Sequence, residues 1–188
     1  MTGVEGLLAR LVELLDRAGV PFMVAGSFAS TTHGLPRTTQ DIDVVIDPPR
    51  ASALDALVGS MPPAEYYVDA AAAQDAFRRR SMFNVIDQAS GWKVDFILRK
   101  NRPFSREEFS RRMPVSLLGV PVFVSSPEDT VIAKLEWSKL SGGSERQRRD
   151  VAGVLATIGS AFDFAYVERW VDELELREEW DSVRKTTS

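Results

Sequence analysis

Acidic and apolar residues alternate from Asp41 into an apolar run that ends at Asp47. Ile42, Val44 and Ile46 occupy even-numbered positions, whereas Asp41, Asp43 and Asp47 occupy odd-numbered positions. Because successive side chains of a β-strand point to opposite faces, this pattern predicts a strand with one apolar and one acidic face. Acids on one face lie roughly 6.5–7 Å apart and repel each other unless a cation lies between them. The segment therefore predicts an oxygen-ligand site that suits Mg²⁺.

A short apolar run, Phe22–Ala25, ends in Gly26-Ser27 upstream of the acidic strand. An apolar run that stops at glycine is typical of a buried strand that opens into a tight turn. Gly26 has no Cβ, so its backbone can approach a ligand closely and adopt a positive φ. Ser27 offers a hydroxyl, and a helix that begins at Phe28 would present backbone N–H groups to phosphate oxygens. This turn is predicted to bind phosphate.

The order strand, Gly26–Ser27, helix, Asp41–Asp43 resembles the signature of the DNA polymerase beta-like nucleotidyltransferase superfamily. The longer string that adds His33–Gly34 and Arg37–Thr39 is similar to the minimal nucleotidyltransferases and the AbiEii-like abortive-infection toxins. The resemblance covers residues 22–98 specifically and 126–155 more loosely.

This resemblance implies transfer of a nucleoside monophosphate from an NTP to an acceptor hydroxyl, with release of pyrophosphate. By this resemblance, Asp41 and Asp43 of this sequence would hold two Mg²⁺ ions. Gly26 and Ser27 would hold the phosphates of the NTP co-substrate. A third carboxylate on a neighbouring strand completes the set, and Asp95 is its match here.

Asp95 lies in the second strand of a predicted hairpin, Met82–Ile86 and Trp92–Leu98. It is a lone acid among apolar residues of what is expected to be a central strand. Burial of an unpaired carboxylate is costly, so a cation or a hydrogen-bond donor is expected to face it. Two interpretations remain open: a metal ligand that also accepts the acceptor's proton, or a structural ion pair with Lys93.

Three further residues border the apolar stripes of two later helices. The resemblance implies that Lys134 contacts nucleotide phosphates, that Lys139 adds positive charge, and that Asp150 orients or deprotonates the acceptor. The alternative is a structural Lys134–Asp150 pair that ties the two helices together. Arg37 precedes the acidic strand and is a candidate phosphate contact.

The pattern as a whole predicts an α/β (α+β) fold with a small mixed sheet flanked by helices. Residues 1–124 are expected to form the nucleotidyltransferase core, and residues 125–188 a helical subdomain packed on it. Ser126 is predicted to cap the first helix of that subdomain, with Pro127 at its first position. The charged tail Arg177–Ser188 is predicted to be a solvated or frayed helix.

Composition excludes several classes. The 188 residues include no cysteine and one histidine, which excludes disulfides, thiolate zinc sites and histidine-rich metal sites. No apolar stretch is long enough to span a membrane and the N-terminus lacks a signal-peptide pattern, so a cytoplasmic protein is expected. The formal charge of −4 argues against broad coating by nucleic acid.

The acceptor is left open as a protein, a tRNA or a small molecule. Similar proteins also serve in toxin–antitoxin pairs, so a cognate toxin or antitoxin partner is compatible with the sequence. Two other functions stay open: an antitoxin-like binding partner whose catalytic face is little used, and a nucleotide sensor that binds NTP without releasing pyrophosphate.

Overall fold

The computed structural model describes residues 3–35 and 38–187. The strands in this part are β1 (Phe22–Val24), β2 (Asp41–Ile46), β3 (Tyr66–Val68), β4 (Met82–Asp87), β5 (Lys93–Leu98), β6 (Met113–Leu117) and β7 (Val120–Val124). The α-helices are α1 (Val4–Arg17), α2 (Gly26–His33), α3 (Ala51–Gly59), α4 (Ala70–Arg79), α5 (Pro103–Ser110), α6 (Pro127–Leu140), α7 (Glu145–Ile158), α8 (Phe164–Glu173) and α9 (Arg177–Thr187). The predicted α/β fold with a mixed sheet and a helical C-terminal part is confirmed.

The described residues group into two compact units. The first comprises residues 3–25 and 39–124 and contains the whole sheet with α1, α3, α4 and α5. The second comprises residues 26–35, 38 and 125–187 and is helical, with α2 and α6 to α9. The helix that follows the Gly-Ser turn thus groups with the C-terminal helices, although it lies between two strands in the sequence.

The first unit is built on one seven-stranded sheet with the order β3-β4-β5-β2-β1-β7-β6. β2 pairs parallel with β5, and β1 pairs parallel with β7. The remaining pairs are antiparallel. The acidic strand β2 therefore lies in the interior of the sheet, between β5 and β1.

The two faces of β2 and β5 differ sharply in character. One face is apolar and almost inaccessible to solvent, and it comprises Ile42, Val44, Ile46, Val94, Phe96 and Leu98. On the other face, Phe109 of α5 packs with Met23 and Val45 in a small apolar cluster. Asp41 and Asp43 lie on that same face, nearer the start of β2. On this second face, β2 therefore packs against α5 at one end and presents carboxylates at the other.

The second unit is organised around α6, which begins as predicted. Ser126 caps the helix: its hydroxyl accepts a hydrogen bond from the Asp129 N–H at 3.2 Å, and Pro127 follows at the first helical position. The hydroxyl of Tyr166 on α8 donates to Asp129 at 2.6 Å. These polar contacts fix the start of α6, while Val131 and its apolar neighbours are buried.

The helix predicted at Arg177–Ser188 is confirmed over Arg177–Thr187, but the prediction that it is solvated or frayed is wrong. α9 is a regular helix, and Trp180 and Val183 on it are almost completely buried. The indole N–H of Trp180 donates to Glu168 of α8 at 2.7 Å. The segment contains a few apolar residues among many charged ones, and these apolar residues form the buried face of the helix.

Within residues 3–35 and 38–187, no helix combines the length and the apolar character needed to cross a membrane.

Candidate active site

The structure places the three predicted acids on one face of the sheet. In the parallel β2–β5 pair, Asp43 is in register with Asp95, and Asp41 is in register with Lys93. Residues in register on neighbouring strands share a face, and so do residues two apart on one strand. Asp41, Asp43 and Asp95 therefore lie on the same face of two adjacent interior strands. Their function as metal ligands stays a prediction.

Asp95 is the most buried of the three acids, and both of its oxygens are engaged. The ammonium of Lys93 lies 2.8 Å from Oδ2 of Asp95. The side-chain amide of Asn84 on β4, which is in register with Asp95, donates to Oδ1. The expected cation and donor are thus both present. The Lys93 ion pair left open by the sequence is observed, on the same face as Asp41 and Asp43.

The Asp41 side chain is oriented by a residue that directly precedes β2. The hydroxyl of Thr39 donates to Oδ1 of Asp41 at 2.6 Å. Thr39 lies just before β2, so the chain that leads into the strand also sets the orientation of its first carboxylate. The backbone of Asp43 is tied to β1, because its carbonyl accepts the N–H of Ala25 at 2.9 Å.

The charges of this face act together on Lys93. Its hydrogen bond to Asp95 raises the pKa of the Lys93 ammonium above its ordinary value, and the negative charges of Asp41 and Asp43 add to the effect. The acidic face therefore favours a positive charge beside Asp95.

The carboxylates suit a hard cation by chemistry, but they do not form a closed site as they stand. In the described part of the chain, no three His, Cys, Asp or Glu side chains are grouped so that they could hold a metal ion. Asp95 is bonded to Lys93 and Asn84 instead. The three acids match Mg²⁺ in the chemistry of their oxygens, since this ion prefers carboxylate ligands and retains water, but not in their present grouping.

Asp47, the last acid of the alternating segment, lies apart from this group. It follows the end of β2 and accepts hydrogen bonds from Arg99 at 2.7 Å and Arg80 at 3.4 Å. Its charge is therefore neutralised by arginine.

The Gly-Ser turn has the backbone geometry expected of it. Gly26 has φ of +57°, a conformation that residues with a Cβ rarely adopt. The helix begins at Gly26 rather than at Phe28, so the glycine is its first residue. Ser27 is buried, and its carbonyl accepts the hydroxyl of Ser30 at 3.0 Å. Phosphate binding by Gly26 and Ser27 stays a prediction, and Arg37 lies outside the described residues.

Lys134 and Asp150 form a buried pair between α6 and α7. The Lys134 ammonium lies 2.6 Å from Oδ2 of Asp150 and also donates to Gln147 at 3.2 Å. Both side chains are less than one tenth exposed. This is the Lys134–Asp150 pair between two helices that the structural interpretation of the sequence predicts. Contacts of Lys134 and Asp150 with nucleotide or acceptor remain a prediction.

Lys139 is engaged at the end of α6. Its ammonium donates to the backbone carbonyl of Glu175 at 2.6 Å, close to the Glu175 carboxylate. The lysine thereby ties α6 to the segment after α8. The side chain is partly exposed, and a contribution of its charge to nucleotide binding is not tested.

Two residues of the candidate site were not identified from the sequence. The sequence indicates Lys93 as an ion-pair partner of Asp95, but not as a cation near all three acids. Asn84 is not among the predicted site residues. The alternation of β4 carried the necessary signal, because a hairpin between β4 and β5 places Asn84 beside Asp95.

Comparisons with known proteins identify the fold. Neither a family model nor a curated protein matches the sequence. Among solved structures, the antibiotic-resistance factor ANT(2'')-Ia is similar with a TM-score of 0.59 and 12% identity, over 98% of this chain and 97% of that one. An antigenic nucleotidyltransferase-like protein from Paracoccidioides brasiliensis is similar with a TM-score of 0.56 and 16% identity, over 96% and 91%.

The lincosamide antibiotic adenylyltransferase LnuA, solved with lincomycin bound, is similar with a TM-score of 0.55 and 12% identity, over 80% of this chain and 96% of that one. These likenesses extend over nearly the full length of each neighbour. The chain therefore has the mixed α/β fold of nucleotidyltransferases. The structural similarity establishes the fold. Identities this low do not establish the activity, which has to be argued from the residues.

Proposed function

We propose that this protein is a nucleotidyltransferase that moves a nucleoside monophosphate from an NTP to an acceptor hydroxyl and releases pyrophosphate. The observation that carries the proposal is the register of β2 and β5, which places Asp41, Asp43 and Asp95 on one face. Three carboxylates on one face of two adjacent interior strands suit metal-assisted phosphoryl transfer.

In this proposal Asp41, Asp43 and Asp95 would hold two magnesium ions, which supply Lewis-acid stabilisation of the transferred phosphoryl group. Asp95 accepts the proton of the acceptor hydroxyl. Gly26 and Ser27 bind the β- and γ-phosphates of the donor. The positive φ of Gly26 supports this assignment, because a bare backbone in that conformation can approach phosphate oxygens closely.

Lys134, Lys139 and Arg37 are proposed to contribute positive charge toward the nucleotide, and Asp150 to orient the acceptor. They are separable by mutation from the three acids.

We further propose that the acceptor is a small molecule with a hydroxyl group. ANT(2'')-Ia has been solved with adenylyl-2''-tobramycin and LnuA with lincomycin, and the fold likeness covers most of both proteins. The acidic balance of the chain also disfavours a large polyanionic acceptor such as tRNA. A toxin–antitoxin function would require a protein acceptor or partner.

The test is incubation of the purified full chain with each radiolabelled NTP, Mg²⁺ and a panel of hydroxyl-bearing antibiotics, with tRNA and lysate protein as separate arms. We expect label to enter a small molecule. Asp43→Asn should lower turnover by about 100-fold or more, because it removes a ligand of the magnesium ions that would stabilise the transition state. Asp47→Asn is the matched control, with the same change in the same segment, and should retain turnover.

Both variants are checked by circular dichroism to show that they fold. Normal turnover by folded Asp43→Asn would contradict the assignment of the acids. Label in protein or tRNA alone would contradict the proposed acceptor and leave the transfer reaction intact. Absence of label from all three arms would contradict the reaction itself.

A further inference from the structure

Lys93 occupies an unusual position relative to the acids. It is in register with Asp41, and it lies two residues before Asp95 on the same strand. Its side chain therefore shares a face with all three carboxylates. Its ammonium is 2.8 Å from Oδ2 of Asp95, so an amino group of the protein already takes a position where a metal ion would bind oxygen.

In this ion pair the Asp95 carboxylate is held in place, whereas the Lys93 side chain can move. Asn84 fixes the opposite oxygen of Asp95 through its amide. The Lys93 side chain is 43% exposed, whereas that of Asp95 is 8% exposed. A lysine on a flexible four-carbon stem can therefore swing into solvent while the carboxylate stays in place. Nothing in the apolar core has to move for this exchange.

The charges favour such an exchange. Three carboxylates on one face repel each other, and one ammonium compensates only part of that repulsion. A divalent cation compensates more of it, but it needs the oxygen that Lys93 occupies. Lysine and metal ion therefore compete for the same carboxylate.

We propose that Lys93 is an internal counter-ion that holds the acidic face together in the metal-free protein and leaves Asp95 when a divalent metal ion binds. This inference rests on the proposed function, since it takes the three acids to be the metal ligands. Lys93 is then a positioning residue: it holds the Asp95 side chain in its orientation, and it weakens metal binding until it is displaced.

The first test measures binding of Mn²⁺ to the nucleotide-free full chain by electron paramagnetic resonance of the unbound ion. Lys93→Met removes the competing charge, and we expect it to tighten the Kd for Mn²⁺ by about tenfold at low ionic strength. The difference should shrink as salt is added, because the site is partly exposed. Lys93→Arg keeps the charge and should bind Mn²⁺ like the wild-type protein.

Lys100→Met is the matched control. It removes the same charge from an exposed position beyond the opposite end of β5, so it should leave the Kd unchanged. An equal gain of affinity in Lys93→Met and Lys100→Met would show an effect of net charge alone and would overturn the proposal.

The second measurement needs no variant. A crystal structure of the wild-type protein with Mn²⁺ should show the ion near Asp95 and the Lys93 ammonium more than about 4 Å from its oxygens, beyond ion-pair distance. A bound ion with the Lys93–Asp95 contact intact, or equal Kd values for wild type and Lys93→Met, overturns the counter-ion function and leaves the proposed reaction standing. Absence of Mn²⁺ binding in every variant also overturns the counter-ion function, whereas the proposed reaction is decided separately by the label-transfer assay.

Discussion

Replacement of Gly34 by alanine tests how closely the end of α2 packs against α7. A Cβ added at Gly34 would lie 2.8 Å from the backbone nitrogen of Val154 and 2.9 Å from the carbonyl carbon of Gly153. It would also lie 3.0 Å from the carbonyl oxygen of Ser30. Non-bonded carbon atoms are comfortable at roughly 3.5–4.0 Å. All three neighbours are backbone atoms, so none can rotate away.

The expected magnitude follows from two opposed effects. Forcing a methyl group into a packed site costs about 1–3 kcal/mol in the free energy of unfolding. Loss of glycine flexibility in the unfolded chain returns about 0.4–1 kcal/mol. Because the clash involves backbone on two helices, we place the net loss at about 1–2 kcal/mol or more. For a chain of this size each kcal/mol lowers Tm by about 2–4 °C.

The assay is thermal and urea denaturation of Gly34→Ala followed by circular dichroism. Gly59→Ala is the matched control, because Gly59 ends α3 and a Cβ there meets no atom within 4 Å. That variant should be neutral or slightly more stable than wild type. Gly153→Ala is intermediate, since its nearest neighbour is the Leu35 backbone nitrogen at 3.4 Å.

A Gly34→Ala protein as stable as Gly59→Ala would refute the steric argument. It would mean that the chain after α2 can move away from α7 without loss. The His33-Gly34 pair of the sequence motif would then need an explanation other than close packing.

Two further predictions concern buried charge. Burial lowers the pKa of His33 below its ordinary 6.5, so the unfolded chain takes up the proton first. Stability should be complete above about pH 6.5 and fall as the pH decreases below it, by at most about 1.4 kcal/mol per pH unit. His33 is the only histidine, so His33→Gln should remove most of this dependence in urea titrations at pH 5.5–7.5. Lys134→Met removes the cation that faces the buried Asp150 and should cost about 3–5 kcal/mol, whereas Lys134→Met with Asp150→Leu should recover most of that loss. Equal stability of the wild-type protein and Lys134→Met in urea would show that the pair has no structural function.

Local sequence patterns predicted the elements whose signals lie within a few residues. Alternation placed β2 and the β4–β5 hairpin, and Ser126 with Pro127 located the start of α6. These signals are local because strand periodicity and helix capping depend on neighbouring residues. The same alternation correctly assigned Asp41 and Asp43 to one face of β2 and Ile42 to the opposite, apolar face.

Longer-range features required the structure. β2 and β5 are separated by almost fifty residues, and no local pattern specifies that they pair in parallel with Asp43 beside Asp95. Helical periodicity placed Lys134 and Asp150 at the edges of buried stripes, but it could not show that they meet. The packed face of α9 was missed because Trp180 and Val183 are too few to stand out among charged neighbours.

The register of the acids is fixed by the apolar residues between them. Ile42 and Val44 are each 1% exposed on the opposite face of β2. A slip of one residue against β5 would turn both toward the acidic face and bury Asp41 and Asp43 in the core, where unpaired carboxylates are costly. Such a slip would lose roughly 1.5–3 kcal/mol for each large side chain exposed. The hydrophobic core thereby holds Asp43 beside Asp95 without a bound metal ion, and substitutions at Ile42 or Val44 should disturb the site as well as the fold.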